Sequence, residues 1–430
     1  MPFQRAARGN MSPLTTLSSV LLAGLGTPLF VIICALALIS FAADGVDLTI
    51  IFIEMYRLAD TPALTAIPLF AFAGFMLAES GAARRLVRIS QALLWWLPGG
   101  LGIMALVICA MLTAFTGASG MTIVAVGGLL FPALQQARYP ERFSLGLLTT
   151  SGSLGLLFPP SIPLIVYAIV AETPVDQLFV AGIAPGLLLV AALSAYSFFI
   201  GRRQGHTPMR TTEDLSPLQA LREGAWELLL PFAVMTGIYS GFIAVSEAAA
   251  LSALYVVIIE MFVHREITVR QLPAIIRETM ILVGGIFVII AASMAYTSYL
   301  IDAQIPASLL DLIRGEVESR LVFLILLNLF LLAVGCMIDM FSALVVVVPL
   351  ILPIAAAYDI HPVHLGIIFL ANLEIGYSTP PVGLNLFIAS ARFDRPLLTL
   401  YRASLPFLAI LLACLLVITY VPALSLFAID

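Results

Sequence analysis

Two stretches of this chain run too far without charge to be single helices. Ile89 to Ala137 contains no Asp, Glu, Lys or Arg, and Leu321 to Tyr358 contains only Asp339. One crossing of a bilayer takes roughly 17 to 25 apolar residues, so each run is long enough to cross and return. Each also holds a turn signal: Gly117-Ala118-Ser119-Gly120 in the first, Gly335 and Asp339 in the second. Lipid satisfies no backbone polar group, so a segment within it must make its own hydrogen bonds. A helical hairpin is the reading for both runs.

Each hairpin is followed by an apolar stretch interrupted by a double proline. The first stretch, Phe143 to Ala171, contains LFPPSIP at Leu157 to Pro163; the second, Val363 to Ala391, contains YSTPPVG at Tyr377 to Gly383. Adding 221 to Pro132, Gly155, Pro159 and Pro160 lands on Pro353, Gly376, Pro380 and Pro381. A proline pair can simply end a helix, but the shared spacing points to two split helices in an internal repeat. The other uncharged runs, Ser18 to Ala43, Leu178 to Ile200, Leu228 to Ser246, Thr279 to Ile301 and Ala403 to Ile429, read as spans.

The expected division is a cytoplasmic N-terminus at 1–17 and a first transmembrane repeat at 18–200, with its hairpin at about 99–135 and broken helix at about 143–171. A linker at 201–224 and a connecting helix at 225–245 lead to a second repeat at 246–430, with its hairpin at about 320–357 and broken helix at about 363–391. The fold class is an all-α polytopic membrane protein. With 61% hydrophobic and 10% charged residues, a soluble globular chain is excluded. The net charge of −5 speaks against a nucleic-acid partner. Cys34, Cys109, Cys336 and Cys414 lie scattered in apolar runs and read as packing residues. The first apolar run is too long for a signal-peptide core and lacks a small-residue cleavage site, so it reads as a retained span.

Orientation follows from arginine, since the chain has no lysine. Arg5 and Arg8 place the N-terminus inside, and Arg84, Arg85, Arg88, Arg138 and Arg142 place both ends of the first hairpin inside. Glu172 and Asp176 mark an outer loop; Arg202 and Arg203 return the chain to a cytoplasmic linker. Helices at 225–245 and 246–263 go out and back to His264, Arg265, Arg270 and Arg277. The second hairpin then enters from outside, its broken helix returns to Arg392, Arg395 and Arg402, and the last helix ends outside at Asp430. Arg314 and Arg320 break the rule among Asp311, Glu316 and Glu318, as an interfacial exception. The repeat is therefore inverted.

Split helices place half-helix N-termini, which attract anions, and free carbonyls, which coordinate cations, near the midplane. The candidate cation ligands are Thr116, Gly117, Ser119, Ser151, Gly152 and Ser153 in the first repeat and Gly335, Asp339, Asn372 and Thr379 in the second. For an anionic substrate they are Pro159, Pro160 and Ser161 with Thr379, Pro380, Pro381, Gly383 and Asn385. Neutral oxygens suit a hard monovalent cation, so sodium is the expected coupling ion, with protons as the alternative; no organic cofactor is expected. Asp339, between apolar runs, reads as a ligand or a helix cap because a carboxylate there is costly unless paired or near water, and Glu374 is similar. Glu247, Glu260 and Asp302 read as solvated near interfaces. Arg84 to Trp96 reads as an amphipathic arm on the inner leaflet or as a positive flank with an aromatic anchor.

At four segments the chain resembles the large membrane subunit of the tripartite ATP-independent periplasmic (TRAP) transporters. They are GASGMTIVAVGGLLFPAL from Gly117, LFPPSIPLIVYA from Leu157, LFVAGIAPGLLL from Leu178, and HPVHLGIIFLANLEIGYSTPPVGLNLF from His361. The likeness runs from about residue 20 to the C-terminal region. It implies an elevator in which hairpins and broken helices move against a scaffold, driven by sodium. It also implies a soluble periplasmic substrate-binding protein and a small four-helix membrane subunit as partners, with the lipid bilayer of a bacterial inner membrane as setting. The chain's length implies that the small subunit is a separate chain. The substrate implied is a small organic anion: a C4-dicarboxylate, a sialic acid, a 2-oxo acid or another carboxylate.

Two other classes compete. Gly117-Ala118-Ser119-Gly120 matches the GxSG of intramembrane serine proteases, whose serine needs a base within hydrogen-bond reach. The histidines, His206, His264, His361 and His364, all fall in loops or at helix ends. An ion channel is the third reading, against which the proline-broken inverted repeat favours alternating access.

Overall fold

The computed structural model describes residues 21–22, 26–43, 45–59, 61–94, 96–203 and 217–429. The expected N-terminal segment 1–17, positions 204–216 of the linker, Trp95 and Asp430 fall outside the described residues. Among the described residues all regular structure is helical. Six helices there are long and apolar enough to cross a membrane, and the pair Glu141–Leu157 and Ile162–Val170, bent by 47°, makes a seventh.

The first half runs α1 (Leu29–Ala43), α2 (Thr49–Ala59), α3 (Ala66–Glu79), α4 (Ala82–Leu94), the hairpin α5 (Gly100–Thr116) and α6 (Ser119–Gln136), the broken helix α7 (Glu141–Ser151) and α8 (Ile162–Val170), and α9 (Val175–Arg203). After α10 (Pro217–Glu223), α11 (Ala225–Tyr239) and α12 (Val245–Ile258), the second half runs α13 (Leu272–Asp302) and α14 (Ile305–Glu316). The hairpin α15 (Arg320–Met337) and α16 (Met340–Ala356), the broken helix α17 (Pro362–Gly376) and α18 (Leu384–Phe393), α19 (Leu397–Tyr420) and α20 (Ala423–Leu426) complete it. Adding 221 to the bounds of α5 gives 321–337, to α6 gives 340–357 and to α8 gives 383–391, each within two residues of α15, α16 and α18. The repeat read from four residues thus governs both hairpins and the second halves of the breaks; α7 shifted likewise gives 362–372, which starts with α17 but stops four residues short of its end.

Local chemistry sets the ends. Gly117, at φ +62°, closes α5 in the left-handed region that glycine occupies without cost. Asp339 caps α16 by accepting the Ser342 amide at 3.0 Å. His361 caps α17, its ring nitrogen accepting the Val363 amide at 3.3 Å, with Pro362 in the first position. Both Pro-Pro bonds are cis.

The two broken helices are antiparallel. Glu141 at the start of α7 pairs with Arg395 just past the end of α18 at 2.7 Å, and Tyr167 near the end of α8 donates to the carbonyl of Pro362, the first residue of α17, at 2.6 Å. The hairpins enter from the corresponding ends: α6 finishes beside Glu141, while Tyr358, past α16, reaches the Val317 carbonyl before α15 at 2.6 Å. The repeat is inverted.

Several expectations change. The run from Ser18 is not one helix: Gly26 at φ +76° and Pro28 precede α1, which starts at Leu29. Leu228 to Ser246 is divided at Gly241, φ +70°, and the last run is divided after Tyr420 by Pro422. The second tip is Ile338-Asp339, three residues past Gly335, which sits inside the last turn of α15 and packs on Leu373 and Gly376. Glu247 and Asp302 are exposed as expected, but Glu260 is fully buried. The reason is Arg85, which α4 turns inward rather than toward headgroups. Its guanidinium lies 2.5 Å from Glu227, 2.7 Å from Glu260 and 2.5 Å from Glu266.

Candidate functional site

The first hairpin tip is a buried polar cluster. Thr113 on α5 lies 2.6 Å from the Thr122 hydroxyl on α6 and 2.7 Å from the Gly152 carbonyl, tying both arms of the hairpin to the first break. A Cβ on Gly152 would come within 2.5 Å of Ile123 and 3.2 Å of the Ser119 carbonyl, so the tip seats directly on that turn. Ser119 then reaches into the other repeat, donating to Asn385 Oδ1 at 2.7 Å. The Asn385 amide nitrogen is buried without a hydrogen-bond partner among the described residues, and the Ser151 hydroxyl is buried beside the Cys109 thiol. Such orphaned polar atoms are costly in an apolar interior unless a ligand meets them.

The second tip is built alike and left open. Tyr377 accepts the Met340 amide, and the Gly383 amide donates to the Cys336 carbonyl at 3.1 Å. Thr379 donates back to the Ile375 carbonyl at 2.8 Å. The Ser342 and Ser378 hydroxyls are buried and have no hydrogen-bond partner among the described residues. Asp339, Pro380 and Pro381 are exposed, whereas their counterparts in the first break, Pro159 and Pro160, are buried with Ser161, whose hydroxyl donates to the Leu156 carbonyl at 2.5 Å. Beside the second tip, Ile338 and Ser342 line an apolar cavity of about 370 Å³ walled by Ile33, Tyr299 and Leu300 of α1 and α13.

The structure therefore gathers Thr116, Gly117, Ser119, Ser151 and Gly152 at one tip, with Asn385 joining them from the second repeat, while Ser153, next in the turn, directs its hydroxyl at the Thr150 and Glu374 carbonyls. Gly335, Asp339, Thr379 and Gly383 gather at the other. Asn372 stands apart from the tip contacts. Its side chain donates to Asn328 at 2.7 Å, and Asn328 donates to Thr419 at 3.2 Å. Thr113, Thr122, Ser342 and Tyr377 are tip residues that sequence reasoning passed over. Thr113 and Thr122 sit nine residues apart across a glycine turn, which is a pairing signal for a hairpin.

The tips interlock across the repeat. Gly120, Gly127 and Gly128 of α6 meet Ile388, Phe393 and Arg392 of α18, so these helices run side by side from the tip outward. By the inversion α16 packs on α8. Each hairpin is thus held by its own break and by the far half of the other's broken helix.

Comparison with known proteins gives the same assignment from an independent direction. The family profile described as "Tripartite ATP-independent periplasmic transporter, DctM component" matches residues 15–424. The chain is 36% identical over 392 residues to the C4-dicarboxylate TRAP transporter large permease protein DctM of Pseudomonas aeruginosa, covering 91% of each chain. It is 30% identical over 418 residues to the ectoine/5-hydroxyectoine TRAP transporter large permease protein UehC of Ruegeria pomeroyi, covering 96% of this chain and 97% of that one. The crystal structure of the Alcanivorax borkumensis YdaH transporter shares the fold, with a TM-score of 0.61 at 15% identity over 86% of each chain. With its two hairpins, its two proline breaks and this match along nearly its whole length, the chain belongs to the TRAP transporter family as a DctM large permease, a component of a secondary transporter.

Proposed function

We propose that this permease imports a small organic carboxylate together with sodium by an elevator movement. The observation that carries the reading is the interlock of α6 with α18 and α16 with α8. It makes four elements one body, which can move only as a unit. The apolar cavity between the second tip and α1 and α13 supports a boundary there, because it interrupts the close packing that holds within a body. Sodium is held by the first-tip oxygens, Thr116, Gly117, Ser119 and the Ser151 to Ser153 turn, and by Gly335, Asp339 and Thr379 at the second tip, from which Asn372 stands apart. The substrate carboxylate meets Pro159 to Ser161 on one side and Thr379 to Gly383 with Asn385 on the other. The unpartnered Asn385 amide and Ser378 hydroxyl support that assignment, since both can donate to an anion.

The partners are a four-helix membrane subunit and a soluble periplasmic binding protein, with the permease in a bacterial inner membrane, N-terminus inside. Relatives this similar are named for C4-dicarboxylate and for ectoine, which supports placing cargo choice in the binding protein. The test is uptake into proteoliposomes holding the permease and the small subunit under a sodium gradient. Uptake is expected only after the binding protein is added; full uptake of free substrate without it, or equal uptake under a proton gradient without sodium, overturns the reading.

A further inference from the structure

From the first tip, α6 and α18 lead together to the end of the repeat where Glu141 pairs with Arg395, the face that the arginine distribution reads as cytoplasmic. Along α18, Asn385 and Arg392 stand seven residues apart, on one side of the helix and separated by about 10 Å of rise. Asn385 meets Ser119 at the tip, and Arg392 meets Val124 and Gly128 farther along α6. The glycine makes the room, since a Cβ on Gly128 would strike Arg392 Nη2. The guanidinium is laid across α6 and held there by Nε, which donates to the Val124 carbonyl at 3.0 Å. Arg392 is exposed, makes no ion pair among the described residues, and its two terminal nitrogens donate to none of them.

The opposite face is built differently. Subtracting 221 from Arg392 gives Ala171, buried just past α8, and adding 221 to Val124 gives Val345 on α16. Pro349 supplies no amide to the Val345 carbonyl, and Ser293 of α13 donates to it at 2.7 Å instead. The repeat thus keeps a side-chain donor at this carbonyl on both faces, but only beside α18 is the donor a cation. Holding two helices together needs no charge, as Ser293 shows. A guanidinium fixed at Nε still presents its two Nη groups, a planar fork that matches a carboxylate. The cytoplasmic membrane surface is negative and opposes the exit of an anion. A fixed cation on that route offsets the repulsion.

We propose that Arg392 binds the carboxylate of the cargo on the cytoplasmic side of the first tip, the next anchorage after Asn385 on the way into the cell. That this carboxylate is cargo rests on the function proposed above; that Arg392 takes a carboxylate does not. The probe is succinate, tested against the arginine reagent phenylglyoxal on the purified permease in phosphatidylcholine liposomes, with peptide mass spectrometry reading each arginine. Choline succinate is expected to slow modification of Arg392 severalfold relative to choline chloride of equal ionic strength. It is expected to leave Arg395, already paired with Glu141, unchanged. In cell membranes the slowing is expected in inside-out vesicles and not when succinate is added outside energy-depleted spheroplasts. No slowing at Arg392, equal slowing at both arginines, or slowing from the outer side overturns the proposal. So does slowing by phosphatidylglycerol in the liposomes with no further effect of succinate, which makes the guanidinium an anchor for lipid headgroups. Sodium-driven uptake that fails while the slowing persists strikes the import reading alone, and uptake through a permease that shows no slowing strikes Arg392 alone.

Discussion

At the scale of single residues, the tip ligands and the buried arginine make separate demands. Ser119 bridges the repeats through Asn385, so Ser119→Leu removes a ligand and holds the tip off its seat. The sodium concentration needed for half-maximal uptake is expected to rise. Asp339→Asn is expected to weaken sodium activation more than Glu247→Gln, because Asp339 crowns the second tip whereas Glu247 only receives the Ala244 amide at the start of α12. Uptake against sodium at fixed pH, with insertion checked for each variant, decides both; unchanged curves remove the assignment. Arg85→Ala strands Glu227, Glu260 and Glu266 without their cation. Breaking a buried pair costs about 3–5 kcal/mol, while the exposed Arg84 is expected to cost within about 0.5 kcal/mol. Thermal unfolding in detergent compares the two, and equal losses refute the cluster's importance. Burial would raise the Glu266 carboxyl, but hydrogen bonds from Arg85 and the Gly81 amide hold it below the usual range. Its contribution is therefore present above about pH 4.3 and is lost as pH falls through the lower folded value.

At the scale of elements, the two glycine contacts that seat the breaks are expected to be intolerant. A methyl group on Gly155 would come within 2.2 Å of the Ala110 carbonyl oxygen, and one on Gly376 would strike Gly335. Both obstacles are backbone and cannot swing aside. Gly284 on α13 has open space around it, so Gly284→Ala gains about 1 kcal/mol of helix propensity. Size-exclusion profiles of the three variants should separate Gly155→Ala and Gly376→Ala, with lost monodisperse protein, from Gly284→Ala. Similar profiles for all three would show that the seats can yield. Gly155 and Gly376 were legible beforehand as markers of the repeat, though not as seats, because a hairpin or a break leaves its mark in chain-local signals: charge-free length, a glycine turn, a proline pair and their spacing. The burial of Glu260 was not legible, since it depends on Arg85, 175 positions away. Nor was the first tip's hold on Asn385, because no local pattern says that α6 lies against α18. The breaks at Gly26 and Gly241 were missed for another reason. Membrane helices often contain glycine, so its presence in an apolar run carries little weight until φ is known.

At the scale of the molecule, antiparallel broken helices fix which ends share a face. Cysteines placed in the linker at 201–224 are expected to be protected from an impermeant reagent in intact cells, while one at Asp430 reacts; reversed labelling overturns the arginine-based orientation. The interlock also has a consequence for how the chain is made. Ser119 and Asn385 are 266 residues apart, and at about 5–20 residues per second of synthesis the first hairpin waits roughly 13 to 53 s for its partner helix to leave the ribosome. For that interval its small polar tip sits in the membrane with half its neighbours unborn. The two halves must then be threaded together after both are inserted, which makes the permease a late-assembling protein dependent on whatever shelters its first half until the second arrives.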